Sequence, residues 1–201
     1  MNWEERKKLA WERILVDKEI GYLDPDIYEV LEAFFKRPKS YTKSSCSGRI
    51  IIIDSLYPWQ RKNSTIIYKN HFGIKLEILE DIVNKPHEYM LWLLVQSPII
   101  HVYTFDYDEA WEVLKIARAA GFKHSGILVH NENGILVEIR SGIGMIQLLK
   151  DKNGKVVSDL KAVTVVANDI LAKGKEKLNK LKQHLLSEVN YSMKLREDSK
   201  G

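Results

Sequence analysis

The sequence contains a single cysteine, Cys46, and this scarcity excludes an internal disulfide framework and any zinc site built from several cysteines. It also lacks an uninterrupted apolar run of about 18 residues, the length that a membrane-spanning helix requires. The first residues mix charges where a signal peptide would need an apolar run. The formal net charge is only +4, so bulk charge alone does not indicate a nucleic-acid-binding protein. We therefore expect a soluble, cytoplasmic protein.

Apolar residues follow a helical period at both ends of the chain and form short runs in the middle. The spacing predicts a helix over about residues 3–20, and a second helix that begins with Asp24 as its N-cap and Pro25 in its first turn. Another helical segment starts near residue 158, and Gly174 within it predicts either a kink or a division into two helices. Between these ends the patterns predict helices over 75–84 and 106–120 and strands over 49–54, 64–68, 90–96, 99–105, 127–129 and 135–139.

Strands in the middle of the chain and helices at its ends are typical of an α+β fold rather than an alternating α/β fold. We expect a single domain with a central mixed β-sheet, N-terminal helices and a long C-terminal helical segment. The chain can bury a sizeable core, since it has 201 residues of which 45% are hydrophobic. No linker, low-complexity segment or internal repeat divides it, so residues 1–201 are predicted to act as one domain.

Charge is distributed unevenly along the chain. Residues 1–35 hold nine Asp or Glu against five Lys or Arg, whereas residues 36–62 hold seven Lys or Arg against one Asp. A basic stretch with interspersed aromatic residues suits RNA, because cations bind phosphates and aromatic rings stack on unpaired bases. Ordinary packing of the aromatic rings is the alternative interpretation. The candidate RNA contacts in this stretch are Lys39, Lys43, Lys62 and Trp59. The lysines of segment 173–182 either extend this surface or form a solvated helix face.

Small and polar residues fill the segment between Lys43 and Arg49, directly before a strongly apolar strand. We expect a loop that enters a sheet and presents backbone N–H groups, with Gly48 permitting close approach of a ligand. The flanking cations suit an anionic group such as a phosphate or a carboxylate. The alternative is a polar loop with a solvated arginine.

The run Ser44-Ser45-Cys46-Ser47-Gly48-Arg49-Ile50 resembles a signature of the tRNA wybutosine-synthesizing protein 3 family. Segments 100–102, 119–127 and 139–141 follow in the family's order, and the resemblance covers about residues 25–190. It implies an S-adenosylmethionine-dependent methyltransferase that N-methylates a 4-demethylwyosine-type tricyclic guanosine next to the anticodon of phenylalanine tRNA. It also implies one pocket with cofactor contacts at Ser44, Ser45, Ser47, Gly48, Ser125 and Gly126, and substrate contacts at Lys43, Arg49, Arg140 and Ser141. An ion pair with an acidic residue is the alternative for Arg140.

The cofactor rests on this resemblance alone, because no Gly-x-Gly-x-x-Gly motif follows a predicted strand. Methyl transfer depends on alignment of donor and acceptor, and a base that removes the ring N–H proton would accelerate it. His101, on a predicted strand, is the candidate base, and a packed structural histidine is the alternative. Direct transfer needs no thiolate, so Cys46 is expected to be a small buried thiol. A non-catalytic RNA-binding protein and a partner of another tRNA-modifying enzyme remain alternative functions.

Overall fold

The computed structural model describes residues 1–198, with side chains described as far as residue 188. The described helices are α1 (Trp3–Glu19), α2 (Tyr28–Phe35), α3 (Leu76–Asn84), α4 (Tyr107–Ala119) and α5 (Leu160–Asp198). The described strands are β1 (Ser40–Cys46), β2 (Arg49–Ser55), β3 (Ser64–Asn70), β4 (Met90–Gln96), β5 (Ile99–Thr104), β6 (Gly126–Asn131), β7 (Gly134–Arg140), β8 (Gly144–Asp151) and β9 (Gly154–Lys155). None of these helices combines the length and the apolarity needed to cross a membrane.

The chain forms two compact units. Unit 1 contains residues 1–47, 98–142 and 176–198, and unit 2 contains residues 48–97 and 143–175. Each unit has its own antiparallel sheet and its own hydrophobic core.

The sheet of unit 1 has the strand order β1-β5-β7-β6. One face packs against helices, since Ile100 and Val102 of β5 share a core with Phe34 of α2, Val113 of α4 and Leu181 of α5. Side chains alternate between the two faces of a strand, so His101 and Tyr103 lie on the opposite face. There Tyr103 joins Tyr41 of β1 and Leu136 of β7 in a small cluster.

The sheet of unit 2 has the strand order β3-β2-β4-β8-β9. Ile50 and Ile52 of β2 pack with Leu79 of α3 and Leu171 of α5 on one face. A smaller cluster on the other face includes Ile53, so β2 is buried on both faces as its apolar sequence predicts.

The structure confirms the α+β class, the N-terminal helices and the long C-terminal helix. The predicted central mixed sheet is corrected in two respects, because the described strands form two sheets and every described pair is antiparallel. Antiparallel strands accept very short connections, and the tight turns before Gly134 and Gly154 join β6 to β7 and β8 to β9 in this way. The action of residues 1–201 as one domain stays a prediction.

Three local expectations are wrong. Asp24 does not cap α2, which has Ile27 at its N-cap without a side-chain bond. The Asp24 carboxylate instead accepts the backbone N–H of Ser47 at 2.7 Å. Residues 40–46 form strand β1 rather than a loop, because the backbone of this polar segment pairs with β5. Helix α5 is continuous through Gly174, so the expected division into two helices is wrong, while a kink there stays a prediction.

Candidate active site

A row of polar positions crosses the sheet of unit 1 on the face opposite the helices. The strand register pairs Ser44 of β1 with His101 of β5, His101 with Glu138 of β7, and Glu138 with Gly126 of β6. Directly opposed residues on neighbouring strands share a face. Three strands, β1, β5 and β7, therefore contribute to one line of side chains, which we call the Ser–His–Glu row, and Gly126 of β6 lies at its end.

Hydrogen bonds join the three side chains of this row. Ser44 Oγ lies 2.9 Å from His101 Nδ1, and His101 Nε2 lies 3.2 Å from Glu138 Oε2. An ionised carboxylate only accepts hydrogen bonds, so Nε2 carries the hydrogen and Nδ1 accepts from the Ser44 hydroxyl. The His101 and Glu138 side chains are only 25% and 19% exposed, whereas Ser44 is exposed. The row can take up a proton at its exposed end and stabilise the resulting imidazolium at its other end.

Two cations lie on the same face as the row. The register shifts between Thr42 and Ser44, which makes Lys43 the extra residue of a β-bulge. The Lys43 ammonium lies 5.8 Å from the centroid of the Tyr103 ring, on the His101 face. Arg140 follows Glu138 by two residues on β7, so it shares that face, and it is exposed. Positive charge therefore lies on both sides of the row.

Space is open at the end of the row beside Glu138. A Cβ atom added to Gly126, the cross-strand partner of Glu138, would have no neighbouring atom within 4 Å. A ligand can therefore approach the row at this strand without displacing a side chain.

The other predicted serines of unit 1 are less accessible. The buried Ser125 hydroxyl donates to the Phe122 carbonyl at 2.7 Å and accepts the Arg140 N–H at 3.0 Å, so it fastens the start of β6 to the end of β7. Ser47 and Ser141 are also buried, and Ser45 is half-buried. Their roles as ligand contacts stay predictions.

Cys46 is half-buried rather than buried, so this part of the sequence expectation is wrong. It lies opposite Ile99 on β1, which is an edge strand of its sheet among the described strands. Ile99 in turn pairs with Arg140 of β7, so Cys46 lies in the cross-strand row next to that of His101.

Several predicted RNA-binding cations of unit 1 are already paired. Lys39 forms an ion pair with Asp106 at 2.6 Å, and this hydrogen bond raises the pKa of Lys39 and lowers the pKa of Asp106. Arg37 pairs with Glu109 at 2.6 Å, with both side chains nearly buried. Arg37 and Lys39, two cations of the basic stretch before β1, are therefore held in internal ion pairs.

The remaining predicted residues belong to unit 2. Gly48 has φ +89°, a left-handed conformation that favours glycine, and its carbonyl lies 2.9 Å from Nδ1 of His71. Arg49 donates from Nε to Gln96 Oε1 at 2.9 Å. Trp59 and Lys62 are exposed on the loop between β2 and β3.

The sequence alone did not identify Glu138 as a site residue. A lone carboxylate in the apolar strand Gly134–Arg140 was a usable signal, since an acidic side chain seldom enters a half-buried strand without a partner. Strand order was the missing information, because only the pairing of β5 with β7 places this carboxylate beside His101.

A hydrogen-bonded Ser–His–Glu row with cations on the same sheet face gives this α+β fold a group that can take up a proton. The model of the family described as Methyltransferase TYW3 matches residues 5–187. The chain belongs to this family and is therefore a methyltransferase, and the family implies a methyl donor.

Relatives of known name and solved structures agree with this assignment. A Saccharolobus solfataricus protein named tRNA(Phe) 7-((3-amino-3-carboxypropyl)-4-demethylwyosine(37)-N(4))-methyltransferase is 52% identical over 98% of this chain and 96% of its own length. A protein of the same name from Thermococcus sibiricus is 36% identical over 92% of this chain and 94% of its own length. A solved Pyrococcus horikoshii structure matches with TM-score 0.86 and 31% identity, over 92% of this chain and 96% of that one.

Proposed function

We propose that the protein N-methylates a 4-demethylwyosine-type tricyclic guanosine next to the anticodon of phenylalanine tRNA, with S-adenosylmethionine as the methyl donor. The observation that carries this proposal is the Ser–His–Glu row, because the acceptor ring nitrogen must lose a proton when it gains a methyl group. The substrate is that of the Saccharolobus and Thermococcus relatives, whose lengths this chain covers almost completely.

S-adenosylmethionine supplies an electrophilic methyl group on a sulfonium sulfur, which becomes a neutral thioether when the methyl leaves. Its amino-acid end is zwitterionic, and a hydroxyl can donate to the carboxylate or accept from the ammonium; the Ser44 side chain is exposed on β1. The space over Gly126 is open at the other end of the row. These features fit the cofactor, and the contacts proposed for it are Ser44, Ser45, Ser47, Gly48, Ser125 and Gly126.

His101 is the general base in this proposal. When Nε2–H donates to Glu138, Nδ1 is unprotonated, accepts the hydrogen of the Ser44 hydroxyl and can take up a proton. General acid–base assistance contributes about 10²–10⁴-fold to a rate, while alignment of donor and acceptor contributes about 7–11 kcal/mol. His101 therefore adds to positioning and does not replace it.

Arg140 holds the substrate in this proposal. The base named for the relatives carries a 3-amino-3-carboxypropyl group, which ends in a carboxylate. An arginine binds a carboxylate through two parallel hydrogen bonds, and Arg140 is exposed on the strand that carries Glu138. Lys43, Arg49 and Ser141 are further proposed substrate contacts.

The tRNA backbone and an unpaired base are bound in part by the β2–β3 loop of unit 2, through Trp59 and Lys62. Trp59 is 75% exposed, so one face of its indole ring is accessible for stacking on a base. Because Lys39 is paired with Asp106, we expect it to contribute less than Lys62. Action in the cytoplasm, as one domain, is part of the same proposal.

Calorimetry with S-adenosylmethionine in the absence of RNA tests the proposal. The protein should bind the cofactor alone, and Arg118→Gln, an exposed change on α4, should leave this affinity unchanged. Binding of phenylalanine tRNA without any binding of S-adenosylmethionine would favour a non-catalytic RNA-binding protein instead.

A further inference from the structure

We propose that Glu138 is a positioning residue for the methyl transfer, and that the Ser44 hydroxyl relays the substrate proton to His101 Nδ1. This inference rests on the proposed function, and it assigns a role to Glu138 and a route to the proton. The geometry behind it is the continuous path of two hydrogen bonds, 2.9 Å and 3.2 Å, through three neighbouring strands.

The exposure of the three side chains sets the direction of the path. Ser44 is exposed, whereas only 25% of the His101 side chain and 19% of the Glu138 side chain are accessible. His101 Nδ1 already has Ser44 Oγ as its neighbour, and Nε2 has Glu138. A substrate nitrogen therefore meets the hydroxyl of Ser44 first.

The proton balance of the step follows from these bonds. The substrate ring N–H gives its proton to Ser44 Oγ while Ser44 gives its own hydroxyl proton to His101 Nδ1. The ring nitrogen uses its lone pair to take the methyl group from the sulfonium donor, and the donor leaves as a thioether. Ser44 ends neutral with a hydroxyl, and His101 ends as an imidazolium that faces the Glu138 carboxylate.

Glu138 contributes in two ways before and during this step. Its carboxylate accepts the hydrogen of Nε2, which leaves Nδ1 unprotonated toward Ser44. It also stabilises the imidazolium once the proton has arrived. A histidine without this partner could carry its proton on Nδ1, and the path from Ser44 would then be blocked.

Other charged or titratable groups on this face of the described strands are the ammonium of Lys43, the phenol of Tyr41 and the thiol of Cys46 on β1, the phenol of Tyr103 on β5 and the guanidinium of Arg140 on β7. Both cations disfavour an imidazolium, so Glu138 is the one group among them that favours it. Replacement of Glu138 alone leaves the others in place. A change in pH dependence then reports on Glu138.

The test is single-turnover methylation of tRNA across pH with Glu138→Gln, and with both ligand affinities measured on the same protein. The glutamine keeps a hydrogen-bond acceptor but loses the charge. We expect nearly unchanged affinities, a plateau rate lower by about 10²-fold, and a rate that rises at lower pH than in the parent. The rising part of the curve of rate against pH, here called the pH limb, moves to lower pH because an imidazolium without the carboxylate loses its proton more easily.

Two further variants distinguish positioning from general support of the fold. Glu138→Asp retains the charge and should move the pH limb back toward that of the parent. Glu132→Gln, in the turn between β6 and β7, is the matched control and should match the parent in rate and pH limb. For the relay, Ser44→Ala should slow turnover about 10²-fold and Ser44→Thr, which keeps a hydroxyl, should restore most of the rate.

The outcomes separate this inference from the proposed function. A parent protein that does not methylate tRNA overturns the proposed function, and the inference with it. If the parent methylates while Glu138→Gln keeps the parental rate and pH limb, Glu138 has no positioning role. If Glu138→Gln has a lower rate but the same pH limb as the parent, Glu138 only supports the fold, and the inference is overturned. If Ser44→Ala turns over at the parental rate, Ser44 does not relay the proton.

Discussion

Tyr57 and Trp59 lie stacked on the loop between β2 and β3, with ring centroids 5.1 Å apart and ring planes 10° from parallel. Both side chains are exposed, so the pair presents an aromatic surface to the outside of unit 2. Arg61 and Lys62 follow on the same loop and are exposed as well. Stacking surfaces next to cations are the usual means of holding single-stranded RNA, and an anticodon loop contains unpaired bases.

Replacement of Trp59 by alanine should weaken the binding of the phenylalanine tRNA anticodon arm by about 1–3 kcal/mol, because a stacking surface for a base is lost. Fluorescence anisotropy with a labelled anticodon arm measures this change. Trp111 on α4 is 52% exposed, so Trp111→Ala is a matched control that should bind normally. Equal affinity of Trp59→Ala and the parent would place the stacking surface elsewhere.

The double replacement of Arg61 and Lys62 by alanine should make tRNA binding less sensitive to salt. Each lost phosphate contact reduces the slope of log affinity against log salt by about 0.7–0.9. Lys85→Ala is the control, since the Lys85 ammonium is paired with Asp81 at 2.6 Å and lies in the same unit. A slope that stays at the parental value in the double variant would contradict a role of this loop in phosphate binding.

Arg140→Gln should raise the KM for tRNA whose tricyclic base carries the 3-amino-3-carboxypropyl group and should change little for a base without it. The loss of a charge-assisted hydrogen bond corresponds to about 1.5–3 kcal/mol for the first substrate. Arg140→Lys should recover part of it, because a lysine lacks the two-pronged geometry. Steady-state kinetics on the two tRNAs make the comparison, and equal effects on both would rule out carboxylate recognition by Arg140.

Asp106 should make the stability of the protein dependent on pH in the acid range. It caps α4 by accepting the Glu109 N–H at 2.9 Å, and its pKa is lowered by the hydrogen bond from Lys39 and by this backbone bond. A lowered pKa in the folded state means that the stabilisation is complete above the ordinary carboxylate pKa of about 3.9 and is lost as pH falls below it.

Asp106→Asn keeps a capping side chain but removes the charge. The free energy of unfolding of this variant should therefore fall less steeply than that of the parent as pH drops below about 4. Urea unfolding at a series of pH values measures both curves, with the exposed neighbour Asp108→Asn as control. Parallel curves for Asp106→Asn and the parent would show that the carboxylate adds nothing in this range.

Local signals in the sequence predicted most elements of the fold. The apolar run of β2 and the helix that follows Asp106 each depend on neighbours in the chain, and both formed where expected. Strand β1 did not follow from the sequence, because its polar side chains carry no apolar period and its backbone is satisfied by β5.

The candidate site was predicted only in part. His101 and Ser44 were identified as separate candidates, from residue type and from the family resemblance. Their contact requires β1 to pair with β5, and the addition of Glu138 requires β5 to pair with β7. Strand order is a property of long-range packing, which local patterns do not encode. The pairing of Lys39 with Asp106 was missed for the same reason.

The most direct measurement is mass spectrometry of nucleosides from phenylalanine tRNA that carries the demethylated tricyclic base, after incubation with the purified protein and S-adenosylmethionine. The tricyclic nucleoside should gain one methyl group, and only when the donor is present. The His101→Asn variant should form the methylated nucleoside about 10²–10⁴-fold more slowly. If the mass of the tricyclic nucleoside stays unchanged while the protein binds both the tRNA and the donor, the proposed methyl transfer is contradicted.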